Sequence, residues 1–178
     1  EVDVIFIAVP TPFNTNKDPD LSFIERASEK VGEVLQKGQL VILKSTTFPG
    51  TTEDYMVPIL ERSGLKTSVD FFAAFSPERV DPGNKTFHTG NTPIVVGGIG
   101  AEATYLASMV NNAIIEKVYM VTNPKIAELE KLLENIFPES GEFTENIVKQ
   151  TKLIDQLVHE ILDFARGTET PPLIQKVN

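Results

Sequence analysis

Five polar positions in the 178-residue sequence stand out for the chemistry their types and spacing offer. Glu78, in Phe75-Ser76-Pro77-Glu78-Arg79, lies just past an apolar run, where a carboxylate can orient water or take up a proton. Lys131 and Asn135 are four residues apart in a helical pattern and share one face, with Glu128 beside them. A cation and an amide one turn apart suit a developing oxyanion or a hydroxylated substrate. Thr46 and Thr11 each follow an apolar run, and their hydroxyls can hydrogen-bond a nucleotide or an ordered water. Each position also has an everyday alternative. Glu78 can pair with Arg79 or Lys85, Glu128–Lys131 can be an ion pair on a solvated face, and the hydroxyls can cap the next helix. By spacing alone these alternatives are favoured. His88 and His159 lie far apart and read as surface or packing residues, so no metal site is expected.

The elements that would position these residues follow in order. Residues 3–9 form a strand stopped by Pro10-Thr11-Pro12. Asp20 caps a helix over residues 21–37 with Leu21, Ile24, Ala27, Val31, Val34 and Leu35 as its apolar stripe, closed by Gly38. The run Leu40 to Leu43 reads as a strand buried on both faces. It leads through Ser45-Thr46-Thr47 and a Pro49-Gly50 corner into a helix over residues 52–62, ended by Ser63-Gly64. Further strands are predicted at 70–75, 93–98 and 116–121, and helices at 101–112 and 124–137. In the last helix Ile126, Leu129, Leu132, Leu133 and Ile136 form the apolar stripe. This alternation predicts an α/β fold, a parallel sheet covered on both faces. Ligands then gather at the carboxyl ends of the strands, which puts Ser45, Thr46, Thr47 and Glu78 on the rim of a cleft. The run Gly97-Gly98-Ile99-Gly100 is too short for a phosphate-binding fingerprint and reads as a tight turn. Residues 138–178 differ: Phe143, Ile147, Gln150, Ile154, Leu157, Ile161 and Phe164 fall at heptad spacing, predicting a long amphipathic helix.

An apolar fraction of 41% with 23% charged residues is that of a folded, water-soluble domain, expected in the cytoplasm. The net charge of −9 argues against nucleic acid or an anionic membrane as partner. Local backbone N–H groups can still hold a phosphate-bearing ligand. The sequence has no cysteine, which rules out disulfides, thiolate metal sites and a cysteine nucleophile within it. It opens directly on a strand, which reads as a fragment.

Together, residues 3–12, 44–52, 75–84 and 127–135 resemble the UDP-glucose/GDP-mannose dehydrogenase family. The Ser76-Pro77-Glu78-Arg79-Val80-Asp81-Pro82-Gly83-Asn84 stretch is most similar to its UDP-N-acetylhexosamine branch. The resemblance implies a partial Rossmann-like sheet over residues 1–137, NAD as cofactor, and a nucleotide-sugar substrate whose C6 alcohol is oxidised to a carboxylate for polysaccharide biosynthesis. It further implies that Thr11 lies near the cofactor and that Thr46 holds a catalytic water and touches the cofactor. It gives Glu78 a role in thioester hydrolysis and Lys131 with Asn135 the stabilisation of an oxyanion. The family's N-terminal Gly-rich loop and its cysteine-bearing domain are absent, so cofactor binding is expected to be impaired and turnover lost. Pro138-Glu139-Ser140 stands where the family has Arg-x-x-Asn-Ile.

The tail over residues 145–166 resembles a histidine kinase dimerisation helix. It supports a rival expectation of a non-catalytic nucleotide-sugar-binding or homo-oligomerising module.

Overall fold

The computed structural model describes residues 2–12, 19–78 and 92–136. The predicted tail helix over 138–178, its kinase-like stretch, the histidines and the loop from Arg79 onward lie outside the described residues.

Five short strands form one sheet in the order β1 (Val4–Ile7), β2 (Leu40–Leu43), β3 (Phe72–Phe75), β4 (Ile94–Gly98), β5 (Val118–Val121). α1 (Ser22–Gly32) joins β1 to β2. A helical segment joins β2 to β3, made of a wide π turn (Thr51–Met56), α2 (Val57–Leu60) and a tight 3-10 turn (Glu61–Ser63). α3 (Ala101–Asn112) lies between β4 and β5, and α4 (Pro124–Ile136) follows β5.

The period-two alternation divides the core into two layers. Ile7, Val41, Leu43, Ala73, Phe75, Val95 and Val121 point to one face, against Ile24 of α1, Met56, Leu60 of α2 and Ala127 of α4. Leu40, Ile42, Ala74, Ile94 and Val96 point to the other, against Ala107 of α3. β2 is buried at all four positions, as its unbroken apolar run requires. The second face is less covered at the β1 edge, where Val4 packs against the core but Phe6 remains 43% exposed, so among the described residues coverage is fullest at the centre of the sheet.

The parallel expectation needs a further correction. β1, β2 and β3 are parallel, and so are β4 and β5, but β3 and β4 run antiparallel with Phe75 opposite Gly97. A parallel return needs a crossover of a dozen residues or more, usually a helix, and the stretch between β3 and β4, with Pro77, Pro82 and Gly83, has no helical period.

Two helices differ from expectation. α1 ends at Gly32, not at residue 37; Val34 therefore leaves the stripe and is 66% exposed, and Gly38 (φ 85°) turns the chain into β2 instead of closing the helix. In α4 the predicted apolar stripe is inward only in part: Ile126 packs against the core, Leu132 and Leu133 are half-buried and Leu129 is 36% exposed, while Ala127, Glu128, Glu130 and Lys131 are buried.

Gly97 is required by a close approach. A Cβ there would lie 2.2 Å from the Asn123 carbonyl oxygen, which begins the turn into α4. Gly97→Ala is expected to destabilise the chain by about 1–3 kcal/mol through overpacking, read as a lower urea midpoint with unchanged m-value.

Candidate active site at the carboxyl edge of the sheet

The strand ends at this edge are tied by side chains where the backbone ladder stops. Ser45 Oγ accepts from Val9 N and donates to Val9 O, both at 2.8 Å. Ser45 is buried and spent on this clamp, which corrects the expectation that it faces a cleft. Thr11 Oγ1 donates to Thr46 O at 2.7 Å, so the two predicted hydroxyl residues are brought together, Thr46 half-buried. The Thr47 hydroxyl is buried and finds no partner among the described residues.

The corner after Thr46 is held by a set of hydrogen bonds that reach to α4. Gly50 adopts φ 102°, and Asp54 N donates back to Gly50 O at 2.7 Å. The helical segment opens here without a side-chain cap of its own. The carboxylate that serves it comes from α4: Glu128 accepts from Gly50 N at 2.6 Å, Thr52 N at 2.8 Å and Thr52 Oγ1 at 2.7 Å. Three donors on one anion at a helix start satisfy both the free N–H groups and the helix dipole. Lys125, one turn earlier, pairs with Glu53 at 3.2 Å and Asp54 at 3.1 Å on the solvent side, where such pairs are worth under about 1 kcal/mol.

Glu128 therefore does not sit on a solvated face. It is fully buried, and Lys131, one turn along the same face, is 9% exposed. Burial pushes the Glu128 carboxyl above the usual range; the Thr52 and Gly50 hydrogen bonds oppose this and the Asp54 charge adds to it. Asn135 lies on the last turn of α4.

Glu78 is exposed just past β3. Its loop is anchored two residues earlier, where buried Ser76 donates from its N to Leu43 O at 3.0 Å and from its hydroxyl to Asn111 Oδ1 at 3.3 Å. Glu78 acts on Lys44: burial lowers the Lys44 pKa, and the Glu78 charge raises it in part. Lys44 Nζ also lies 5.8 Å from the centre of the Phe6 ring. Glu78 thus follows a strand end tied to α3 through Ser76, and Lys131 is carried by α4.

Sequence reasoning missed Lys44 and Glu128 as members of this edge. The signals were present: a lone cation ending an apolar run, and an acid three residues before Lys131. Among the described residues no group of His, Asp and Glu could hold a metal, and no helix is long and apolar enough to cross a membrane.

The residues present fit a dinucleotide in part. Thr11 and Thr46 offer hydroxyls at the strand ends where dinucleotides bind. Gly97 and Gly98 offer no phosphate cradle, because the chain itself fills the space: Asn123 O lies 2.2 Å and Thr104 N 2.3 Å from the respective Cβ positions. Gly98 N is already bonded to Thr104 Oγ1 at 3.0 Å.

Because its folded-state pKa is raised, Glu128 binds its proton more tightly in the native than in the unfolded chain. Its contribution to stability is full below the ordinary glutamate pKa and is lost as pH rises through the raised value. Urea unfolding of the parent chain is expected to show this downward slope, and Glu128→Gln is expected to flatten it.

Residues 1–123 match the UDP-glucose/GDP-mannose dehydrogenase family, NAD binding domain. The chain is 41% identical over 135 residues to a UDP-N-acetyl-D-glucosamine 6-dehydrogenase of Pseudomonas aeruginosa, covering 75% of this chain and 32% of that protein. It is 41% identical over 136 residues to a UDP-N-acetyl-D-mannosamine dehydrogenase of Pyrococcus horikoshii, covering 76% of this chain and 32% of the relative. The structure of the Pyrococcus horikoshii UDP-D-ManNAc dehydrogenase superposes with TM-score 0.72 at 40% identity, covering 76% of this chain and 32% of that one. The chain thus spans about a third of the length of the curated relatives it matches. By a match that takes in well over half of its residues, on an α/β sheet of the Rossmann type, the chain belongs to the UDP-glucose/GDP-mannose dehydrogenase family.

Proposed function

We propose that residues 1–137 are the latter part of the NAD-binding domain of a nucleotide-sugar 6-dehydrogenase acting on a UDP-N-acetylhexosamine or UDP-glucose, with residues 138–178 a separate helical tail. The reading is supported above all by the buried polar face of α4. A helix whose acid and lysine are turned inward, while its leucines stay half exposed, is built to deliver charge to a site.

On this reading NAD supplies the hydride acceptor for the sugar C6 carbon. Thr46 and Thr11 hold the cofactor side of the cleft, with the Thr46 hydroxyl left to orient a water. Glu78, exposed at the edge, takes the proton of that water as it attacks an acyl carbon. Lys131 with Asn135 stabilises the negative oxygen that develops on the sugar. The acyl group rides on a cysteine that belongs to a domain outside this sequence, which has no cysteine. Residues 1–178 alone therefore bind substrate and do not complete a turnover.

The test is calorimetric titration of the full chain with UDP-N-acetylglucosamine, beside an assay for NADH. Saturable binding without NADH is expected, with affinity at least tenfold weaker in Lys131→Met, about 1.4 kcal/mol. NADH formation would overturn the fragment reading. Absence of saturable binding, or binding untouched by Lys131→Met, would overturn the site.

A further inference from the structure

We propose that Glu128 is a positioning residue that couples the Thr46 corner to the helix carrying Lys131 and Asn135, so that the two parts of the site keep one geometry only while its three hydrogen bonds are in place. The inference rests on the functional reading above and adds to it a residue that touches neither substrate nor cofactor.

The arrangement is a costly way to cap a helix start. A helix start needs a local Ser, Thr, Asp or Asn to cap it. Here the cap is borrowed from a residue 76–78 positions away and carried at full burial. A buried carboxylate is a poor choice for stability alone, since an apolar side chain of similar volume at such a site is often neutral or better. What the carboxylate provides, and a leucine cannot, is direction: its two oxygens fix α4 against Gly50 and Thr52 at 2.6–2.8 Å.

Register ties the cap to the rest of α4. Glu128, Lys131 and Asn135 are spaced i, i+3, i+7, so one face of α4 carries all three. A rotation or slide of α4 that lengthened the Glu128 contacts would carry Lys131 with it. At the other end of the coupling, Gly50 is four residues from Thr46, and Thr51 N and Oγ1 both donate to Phe48 O, which keeps the intervening loop tight. Of the π turn's charges Asp54 acts on Glu128, and Asp54 and Glu53 both pair with Lys125 of the same helix as Glu128. Glu53 and Asp54 are engaged by Lys125, so the orienting anion for the corner is Glu128.

The experiment uses the full chain, isotope-labelled, as parent, Glu128→Gln and Thr52→Val. Gln turns an N–H₂ toward one of the donors, and Val removes only the hydroxyl donor. In the absence of ligand, the amide signals of Thr46 and Lys131 are expected to move in both variants, further in Glu128→Gln. In the presence of UDP-N-acetylglucosamine, affinity is expected to fall at least tenfold in Glu128→Gln and about threefold in Thr52→Val. A carboxylate that only stabilises the fold would shift Gly50 and Thr52 and leave Thr46 and Lys131 in place, which overturns the proposal. Equal affinity in parent and folded variants overturns it as well. If Glu128→Gln does not fold, Thr52→Val decides by the same two readings. If the parent binds no UDP-sugar but Thr46 and Lys131 still move, the functional reading falls and the coupling stands.

Discussion

A single buried anion sets the geometry of the carboxyl edge. The Glu128 side chain reaches from α4 to the start of the segment after β2 and takes up donors that nothing nearer satisfies. Hydrogen bonds to a charged group in such a setting contribute roughly 1.5–3 kcal/mol each, while taking the charge out of water costs several kcal/mol. Desolvation is the larger influence on the Glu128 proton, which is why its pKa lies above the usual carboxylate range despite three donors. The arrangement therefore trades stability for orientation at the point where the proposed site is assembled.

The sheet explains how two faces contribute to one edge. β1, β2 and β3 deliver Thr11, Thr46 and Glu78 at their carboxyl ends because they are parallel. The antiparallel step at β4 brings Gly97 and Gly98 back alongside Phe75 and Ala74 instead of out to that edge. β5 follows β4 in the same sense, so α4 starts beside Gly97 and has its length in which to reach the Thr46 corner. α4, which carries Lys131, thus packs on the face of α1 and α2, while Ser76, two residues before Glu78, is bonded to α3 on the other face.

Most of the fold was legible because it rests on local chemistry. The apolar run of β2, the Pro49-Gly50 corner, the bounds of α3 and the Pro124 start of α4 all follow from residue types acting on their near neighbours. What was not legible depends on distant partners. Nothing near Glu128 in sequence indicates that Gly50 and Thr52 will be its donors, so the inward rotation of α4 could not be read from its own periodicity. Ser45 looked like a cleft residue because its partner, the backbone of Val9, lies 36 positions away. The direction of β4 was hidden for another reason: a buried strand has the same apolar signature whichever way it runs.

The separation between Glu128 and its donors bears on how the chain comes into being. During synthesis, the residues of β1, β2 and the corner leave the ribosome while the acceptor for Gly50 and Thr52 is still untranslated. Over that interval the nascent corner lacks its anion and has water as its alternative partner, and the edge adopts its final shape only when α4 docks. Assembly of the sheet and maturation of its rim are thus separate events in time, the second waiting on the last described helix to emerge.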